Sequence, residues 1–239
     1  SVVSVMYRSA LRKAKTVFFE NEENAQFFLH QNIISAQQMK VLPGAGINLD
    51  EYPYVPMRED GVCSFLFVGR IMKAKGVYEF FTAAKTVKAE FSEKVAFDVV
   101  GFYEDAYKET VDQLVADGVI RFHGFQTDVH PFYEAANCVV LPSYHEGMSN
   151  VLLEAAATGR PLITSDIPGC REAVEDGVSG YICPAKDADA LYDAMQRFVE
   201  LPESRRAEMG RRGRERMEKR FSKDAVIAET MKWLGTTNG

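Results

Sequence analysis

Short apolar, β-branched runs alternate along this chain with amphipathic stretches. Ser64-Phe65-Leu66-Phe67-Val68 ends at Gly69, and Cys138-Val139-Val140-Leu141 ends at Pro142; both read as short buried strands. The same pattern predicts strands near 64–68, 95–100, 119–123, 138–142, 161–164 and 180–183. Helices are expected between them near 75–91, 105–117, 128–136, 150–158 and 169–175. This β-α alternation implies a parallel sheet covered on both faces. Right-handed crossovers then give a doubly wound, Rossmann-like α/β fold.

Ahead of that region the pattern predicts a helix over 4–14, a strand over 16–19, a helix over 22–31 and a strand over 40–42. Pro53 and Pro56 block both helix and sheet, so 50–61 reads as a linker. Gly44-Ala45-Gly46-Ile47-Asn48-Leu49 fails as a dinucleotide fingerprint because Leu49 replaces the third glycine, and it reads as a hinge-side turn. The arginine-rich stretch 205–220 is interleaved with Glu208, Glu215 and Glu218, which predicts a solvated amphipathic helix. A last helix over 222–234 carries Val226, Ile227, Met231, Trp233 and Leu234.

Composition narrows the function. Apolar residues make up 46% of the chain, enough for a packed core, yet no run approaches the roughly 20 needed to cross a bilayer. A net charge of -6 argues against nucleic acid as the main partner. Cys63, Cys138, Cys170 and Cys183 lack zinc-site spacing and read as buried thiols. His145 adjoins Glu146, whereas His30, His123 and His130 show no acid or nucleophile at a telling spacing. No Ser-His-Asp set, His-Glu-x-x-His helix or Walker loop is present. With no signal peptide visible in this stretch, composition fits a cytoplasmic protein.

The most chemically suggestive segment is Glu146-Gly147-Met148-Ser149-Asn150-Val151-Leu152-Leu153-Glu154. It follows a predicted strand and opens a helix, with Ser149 or Asn150 as N-cap and Glu154 about one turn inside. The amides between the two carboxylates are expected to face open space, where a helix N-terminus attracts phosphate. Carboxylates on either side can accept sugar hydroxyls, a combination that suits a nucleotide sugar. Arg70 and Lys75, beyond the strand at 64–68, supply cations for a diphosphate without metal. Each feature alone reads more simply as an ordinary βα turn with two solvated glutamates, or as a solvated surface cation.

Together the blocks carry a resemblance. Val68-Gly69-Arg70 with Lys75-Gly76, Leu141-Pro142-Ser143-Tyr144-His145-Glu146-Gly147, Leu153-Glu154-Ala155, Ile167-Pro168-Gly169-Cys170-Arg171-Glu172 and Asp176-Gly177-Val178-Ser179-Gly180 resemble the retaining glycosyltransferases of family four, in order and spacing, over roughly 35–235. The resemblance implies a GT-B fold, two Rossmann-like domains across a cleft. By length, only a remnant of the first is present in 1–50, followed by a linker over 51–62, the donor-binding domain over 63–221 and a crossover helix and tail over 222–239.

By resemblance, Arg70, Lys75 and Glu146 are catalytic, with the cations on the leaving diphosphate and Glu146 on sugar hydroxyls. Glu154 holds the ribose, and Gly69, Gly147, Met148, Ser149, Asn150 and Val151 shape the donor site. Phe125, in the loop 124–128, is a candidate for base contact. No metal or cofactor is expected, the nucleotide sugar being a substrate. The implied reaction moves a hexose or N-acetylhexosamine, from UDP-sugar by expectation, to a glycan or polyprenyl-diphosphate-linked acceptor with retention, in cell-surface polysaccharide synthesis. The fragment alone is expected to be inactive. Peripheral association with the inner face of the cytoplasmic membrane, through the missing domain, stays open. Two rivals are a nucleotide-sugar epimerase, distinguished by a free epimer as product, and a non-catalytic nucleotide-binding module, distinguished by affinity without turnover.

Overall fold

The computed structural model describes residues 2–58 and 60–235. A small leading unit comprises helix α1 (Val2–Leu11), strand β1 (Val17–Phe19), helix α2 (Glu22–His30) and strand β2 (Met39–Val41). Strands β1 and β2 pair in parallel with Val17 opposite Met39. The rest of the chain builds on six parallel strands: β3 (Cys63–Val68), β4 (Val95–Val100), β5 (Arg121–Phe122), β6 (Cys138–Leu141), β7 (Leu162–Ser165) and β8 (Gly180–Cys183). Their spatial order is β5-β4-β3-β6-β7-β8. Strand order therefore reverses between β3 and β6, the place where open α/β sheets gather their ligands.

The sheet forms where the apolar runs are. Phe65, Phe67 and Phe97 are buried, and the rings of Phe65 and Phe97 stack across β3 and β4 at 5.2 Å. Helices α3 (Val77–Phe91), α4 (Lys108–Ala116), α5 (His130–Ala135) and α6 (Asn150–Ala157) make the crossovers. Right-handed connections running one way from β3 and the other way from β6 place α3 and α6 on opposite faces. Helix α7 (Ala188–Glu200) returns to pack on α3, and α8 (Glu203–Arg216) packs on α6. A π-helical turn (Met217–Phe221) then leads into α9 (Lys223–Gly235).

Two expectations need correction. The segment 169–175 is no helix beyond one 3-10 turn, Arg171–Ala173. Gly169 sits at φ +82 ahead of the turn and Val174 is already extended after it, so no second turn can propagate. Helix α7 falls where no helix was expected, although Leu191, Ala194, Met195 and Phe198 form a buried stripe at helical spacing and Asp187 caps it through the Ala190 N–H.

The proline-bearing stretch is strapped to the large unit. Val55 N–H donates to Thr158 O at 3.1 Å, and Asn137 Nδ2 donates to Arg58 O at 3.1 Å. Arg160, fully buried, donates to the carbonyls of Val55 and Ala136. Burial pulls its guanidinium down to about 10, which leaves it charged at neutral pH.

The arginines of α8 are also not simply solvated, because sequence periodicity misses their backbone targets. Arg206 is buried, Arg214 Nη1 donates to the carbonyls of Tyr52 and Ala157, and Arg216 donates to Glu172 O. The four cysteines are buried free thiols, and burial pushes Cys63 up to about 11 and Cys170 and Cys183 up to about 12. Such thiols are protonated and unreactive at neutral pH.

The approach of α8 to the turn after α6 gives a prediction of sign. A methyl group on Gly210 would lie 2.1 Å from Gly159 O, a backbone atom that cannot swing away. Helix propensity alone favours Gly210→Ala by about 1 kcal/mol, whereas forcing an overpacked contact costs about 1–3 kcal/mol. We expect the variant to unfold at lower urea concentration than the parent. An equal or higher midpoint would show that α8 can shift without penalty.

Candidate functional site

The site stands at the reversal of strand order. After β3 the chain makes a 3-10 turn, Lys73–Lys75, and enters α3 through Gly76 at φ +67. A Cβ on Gly76 would lie 1.9 Å from Pro142 O, so only glycine lets this loop close against the loop after β6. That approach brings Lys75 Nζ to 2.5 Å from Glu146 Oε1, across 71 residues of sequence. Ser143 Oγ donates to the same carboxylate oxygen at 2.7 Å. The Lys75 and Glu146 side chains are 23% and 12% exposed, so neither is a freely solvated ion.

The next loop is fixed from two sides. Ser149 N–H donates to Gly169 O at 2.9 Å, so this amide does not face open space as expected. Gly169 abuts Gly147, where a Cβ would meet the Gly147 carbonyl at 2.2 Å. From the leading unit, Asn21 Nδ2 donates to Gly147 O at 3.1 Å. Ser149 is the N-cap residue of α6, though its side chain makes no capping bond. Asn150 is exposed, Met148 and Val151 are half-buried, and Met148 packs against Gly44.

Glu154 is half-buried one turn into α6 and accepts from the Tyr133 hydroxyl at 2.8 Å. Burial, then the Glu154 charge, holds the Tyr133 pKa well above its ordinary value, so the phenol remains a donor. Tyr52 is pushed up to about 12, by burial and then by Glu154. Both carboxylates are thus partnered and partly withdrawn from water, which sets aside the reading of two solvated glutamates.

Arg70 does not join Lys75. It is exposed and lines a separate slot of about 240 Å³ together with Gly69, Phe102, Phe125, Gln126 and Val129. Phe102 and Phe125 form an aromatic pair there, with centroids 6.5 Å apart. The slot is bounded by the loops after β3, β4 and β5, so a planar base and an anionic neighbour could share it. His145 is exposed beside Glu146. Sequence reasoning missed Tyr133 and Ser143. Ser143 lies three residues before Glu146 and could have been read as its partner, whereas nothing local marks Tyr133.

Two histidines have acid partners after all. His123 Nε2 lies 2.7 Å from Asp98 on the neighbouring strand, a contact made by sheet register. His130 Nδ1 lies 2.7 Å from Asp128, its Nε2 lies 3.0 Å from Glu51 O, and its ring stacks on Tyr52 at 4.6 Å. These contacts tie the stretch after β2 to the loop that carries Phe125. Among the described residues, no group of three or more His, Cys, Asp or Glu side chains is gathered as a metal site requires.

Topology defines a doubly wound α/β domain, and sheets of this kind take their ligands at the edge where strand order reverses, here between β3 and β6. The chain belongs to the Glycosyl transferases group 1 family, whose profile matches residues 63–200. It is 26% identical over 211 residues to the N,N'-diacetylbacillosaminyl-diphospho-undecaprenol alpha-1,3-N-acetylgalactosaminyltransferase of Campylobacter jejuni, covering 83% of this chain and 55% of that protein. It is 29% identical over 168 residues to the capsular polysaccharide biosynthesis glycosyltransferase CapM of Staphylococcus aureus, covering 68% of this chain and 43% of that protein. The chain thus spans about half the length of these relatives.

Among solved structures, sucrose-phosphate synthase from Thermosynechococcus elongatus superposes with a TM-score of 0.81 at 24% identity, over 99% of this chain and 61% of that one. Anabaena HepE in complex with UDP superposes with a TM-score of 0.82 at 19% identity, over 98% and 68%. The fold of the large unit is the C-terminal, Rossmann-like half of a GT-B glycosyltransferase.

The Asp128 contact raises the His130 pKa above 6.5 and lowers that of Asp128. Stabilisation from this pair is therefore full between the unfolded pKa values of Asp128 and His130, and is lost as pH falls through the lowered Asp128 value or rises through the raised His130 value. In an NMR titration His130 should titrate above 6.5, and Asp128→Asn should bring it down toward that value. A midpoint at or below 6.5 in the parent would contradict the contact.

Proposed function

We propose that this chain is the donor-binding part of a glycosyltransferase that moves a hexose or N-acetylhexosamine from a nucleotide diphosphate sugar, UDP-sugar by preference, to a glycan or polyprenyl-diphosphate-linked acceptor. The observation that carries the reading is the Lys75–Glu146 contact, made at the switch point beside the N-terminus of α6. A diphosphate placed there meets the Lys75 ammonium and the start of α6. The base lies in the slot of Phe102 and Phe125, with Arg70 at its mouth. Glu154 takes the ribose hydroxyls, with Tyr133 fixing its carboxylate. The UDP complex of Anabaena HepE and the sugar transferred by the Campylobacter enzyme support this choice of donor class.

Without donor, Lys75 is neutralised by Glu146, which keeps both charges in place at modest desolvation cost. When the donor enters, Glu146 turns to a sugar hydroxyl and Lys75 is released to the phosphate. As the glycosidic bond breaks, negative charge grows on the diphosphate while the sugar becomes oxocarbenium-like. Fixed cations and helix-end dipoles then stabilise the transition state more than the ground state. The reading includes retention of configuration and a metal-free leaving group, with Lys75 as the cation at the switch point and Arg70 reaching the donor from the mouth of the base slot. The chain spans about half the length of its relatives, and in this reading the acceptor wall belongs to the rest of the fold. Names such as CapM place related proteins in capsule synthesis, which supports cell-surface polysaccharide as the product class. Among the described residues no helix is long and apolar enough to cross a membrane.

Calorimetry with UDP tests the reading. Glu154→Gln leaves an acceptor for Tyr133 but removes the charge, and loss of a charged hydrogen bond of about 1.5–3 kcal/mol should weaken UDP by roughly 10- to 150-fold. Parental affinity in this variant would refute the ribose assignment. In the enzyme with its acceptor wall, Lys75→Ala should abolish most turnover and EDTA should leave it intact. Loss of activity in EDTA with rescue by magnesium or manganese would overturn the metal-free part.

A further inference from the structure

Beyond the donor edge, a second cavity of about 800 Å³ opens among the rings of Tyr78, Tyr107 and Tyr144 and the charged groups Lys73, Lys186 and Glu104. One wall is unusually well fixed. The Tyr144 hydroxyl lies 2.7 Å from both carboxylate oxygens of Glu79, a residue in the first turn of α3 that is only 5% exposed. Burial, then Glu79, raises the Tyr144 pKa, so the phenol stays protonated and its ring is held by a permanent donor contact. Lys186 Nζ stands 5.2 Å from the centroid of the same ring. Tyr78, by contrast, is 68% exposed at the mouth.

The chemistry of this lining selects its ligand. Two ammonium groups face two carboxylates, one of them already committed to Tyr144, so the cavity offers no net field to a strongly charged ligand. What it offers is flat aromatic surface ringed by hydroxyls, amines and one free-standing carboxylate. A pyranose chain matches that arrangement, with apolar C–H faces for the rings and hydroxyls that can both donate and accept. We propose that this cavity is a second carbohydrate site, which holds an uncharged segment of the glycan on the donor-binding unit itself. The choice of a glycan over other neutral ligands rests on the transferase reading.

The cavity and the donor edge are built from the same two loops. Tyr144 N–H donates to Ala74 O at 2.9 Å. Ala74 immediately precedes Lys75, and Tyr144 stands two residues before Glu146, so the residues lining the cavity alternate with those of the ion pair. A glycan seated against Tyr144 is therefore held beside the donor machinery without occupying it.

The test is a titration of the chain with neutral tetrasaccharides of glucose, galactose, N-acetylglucosamine and N-acetylgalactosamine, followed by NMR of labelled tyrosines. At least one should bind with a Kd in the range of about 0.1–1 mM, should bind equally well in saturating UDP, and should lose tenfold or more in affinity in Tyr78→Ala. That side chain is exposed, so the fold should tolerate its removal, and UDP affinity of the variant should equal that of the parent. Absence of binding by all four at about 10 mM, displacement by UDP, or unchanged glycan affinity in Tyr78→Ala would each overturn the proposal. UDP titrated into the same samples separates the two claims: UDP binding without glycan binding rejects only this site, whereas failure of UDP to bind rejects the functional reading.

Discussion

The site depends on how closely two loops approach each other at the middle of the sheet. Because β3 and β6 are neighbours, the loops that leave their carboxyl ends lie side by side, and Gly76 removes the one atom that would hold them apart. Lys75 and Glu146 then meet across the seam. The contact needs no long-range field: the pair is partly buried, so its attraction is less screened than that of a surface ion pair. Nothing comparable joins Arg70 to the pair, and that cation belongs to the aromatic slot instead.

Much of this architecture could be read from residue order because the two central strands carry continuous apolar runs, which is the mark of a strand covered on both faces. Phe65 to Val68 and Cys138 to Leu141 are buried throughout. The edge was harder. Strand β5 pairs through Arg121 and Phe122 alone, since an edge strand buries only part of its surface. The segment 169–175 failed as a helix for a local reason, because the chain turns extended at Val174 after a single 3-10 turn. Helix α7 carries its own signals, an Asp187 cap and a buried stripe of Leu191, Ala194, Met195 and Phe198, so its position was legible in the residue order.

The polar interior was legible only in part. Glu146 and Glu154 stand out by spacing, but what makes them more than surface glutamates is Lys75, Ser143 and Tyr133, and only Ser143 is close in sequence. The arginines show the same limit more sharply. Periodicity assigns 205–220 to a solvated helix, while Arg206 is buried and Arg214 and Arg216 end on backbone carbonyls that the adjoining turns leave unpaired. A guanidinium with five donors is suited to such carbonyls, yet no one-dimensional pattern reveals where they will lie.

The two walls around the Gly147 loop are held in physically different ways. On the side of the large unit, Lys75, Ser143, Glu146, Gly147 and Gly169 are tied into one sheet and its loops, and moving them would break backbone contacts and separate a partly buried ion pair. On the side of the leading unit, Asn21 Nδ2 donates to Gly147 O. Glu20 stands nearby, its carboxylate 2.5 Å from where a Gly147 Cβ would be. A thin, polar contact of this kind costs little to open, since water can replace each partner. The phosphate and sugar positions are therefore preorganised by the sheet, whereas the opposing wall can adjust without disturbing the geometry on which the charges depend.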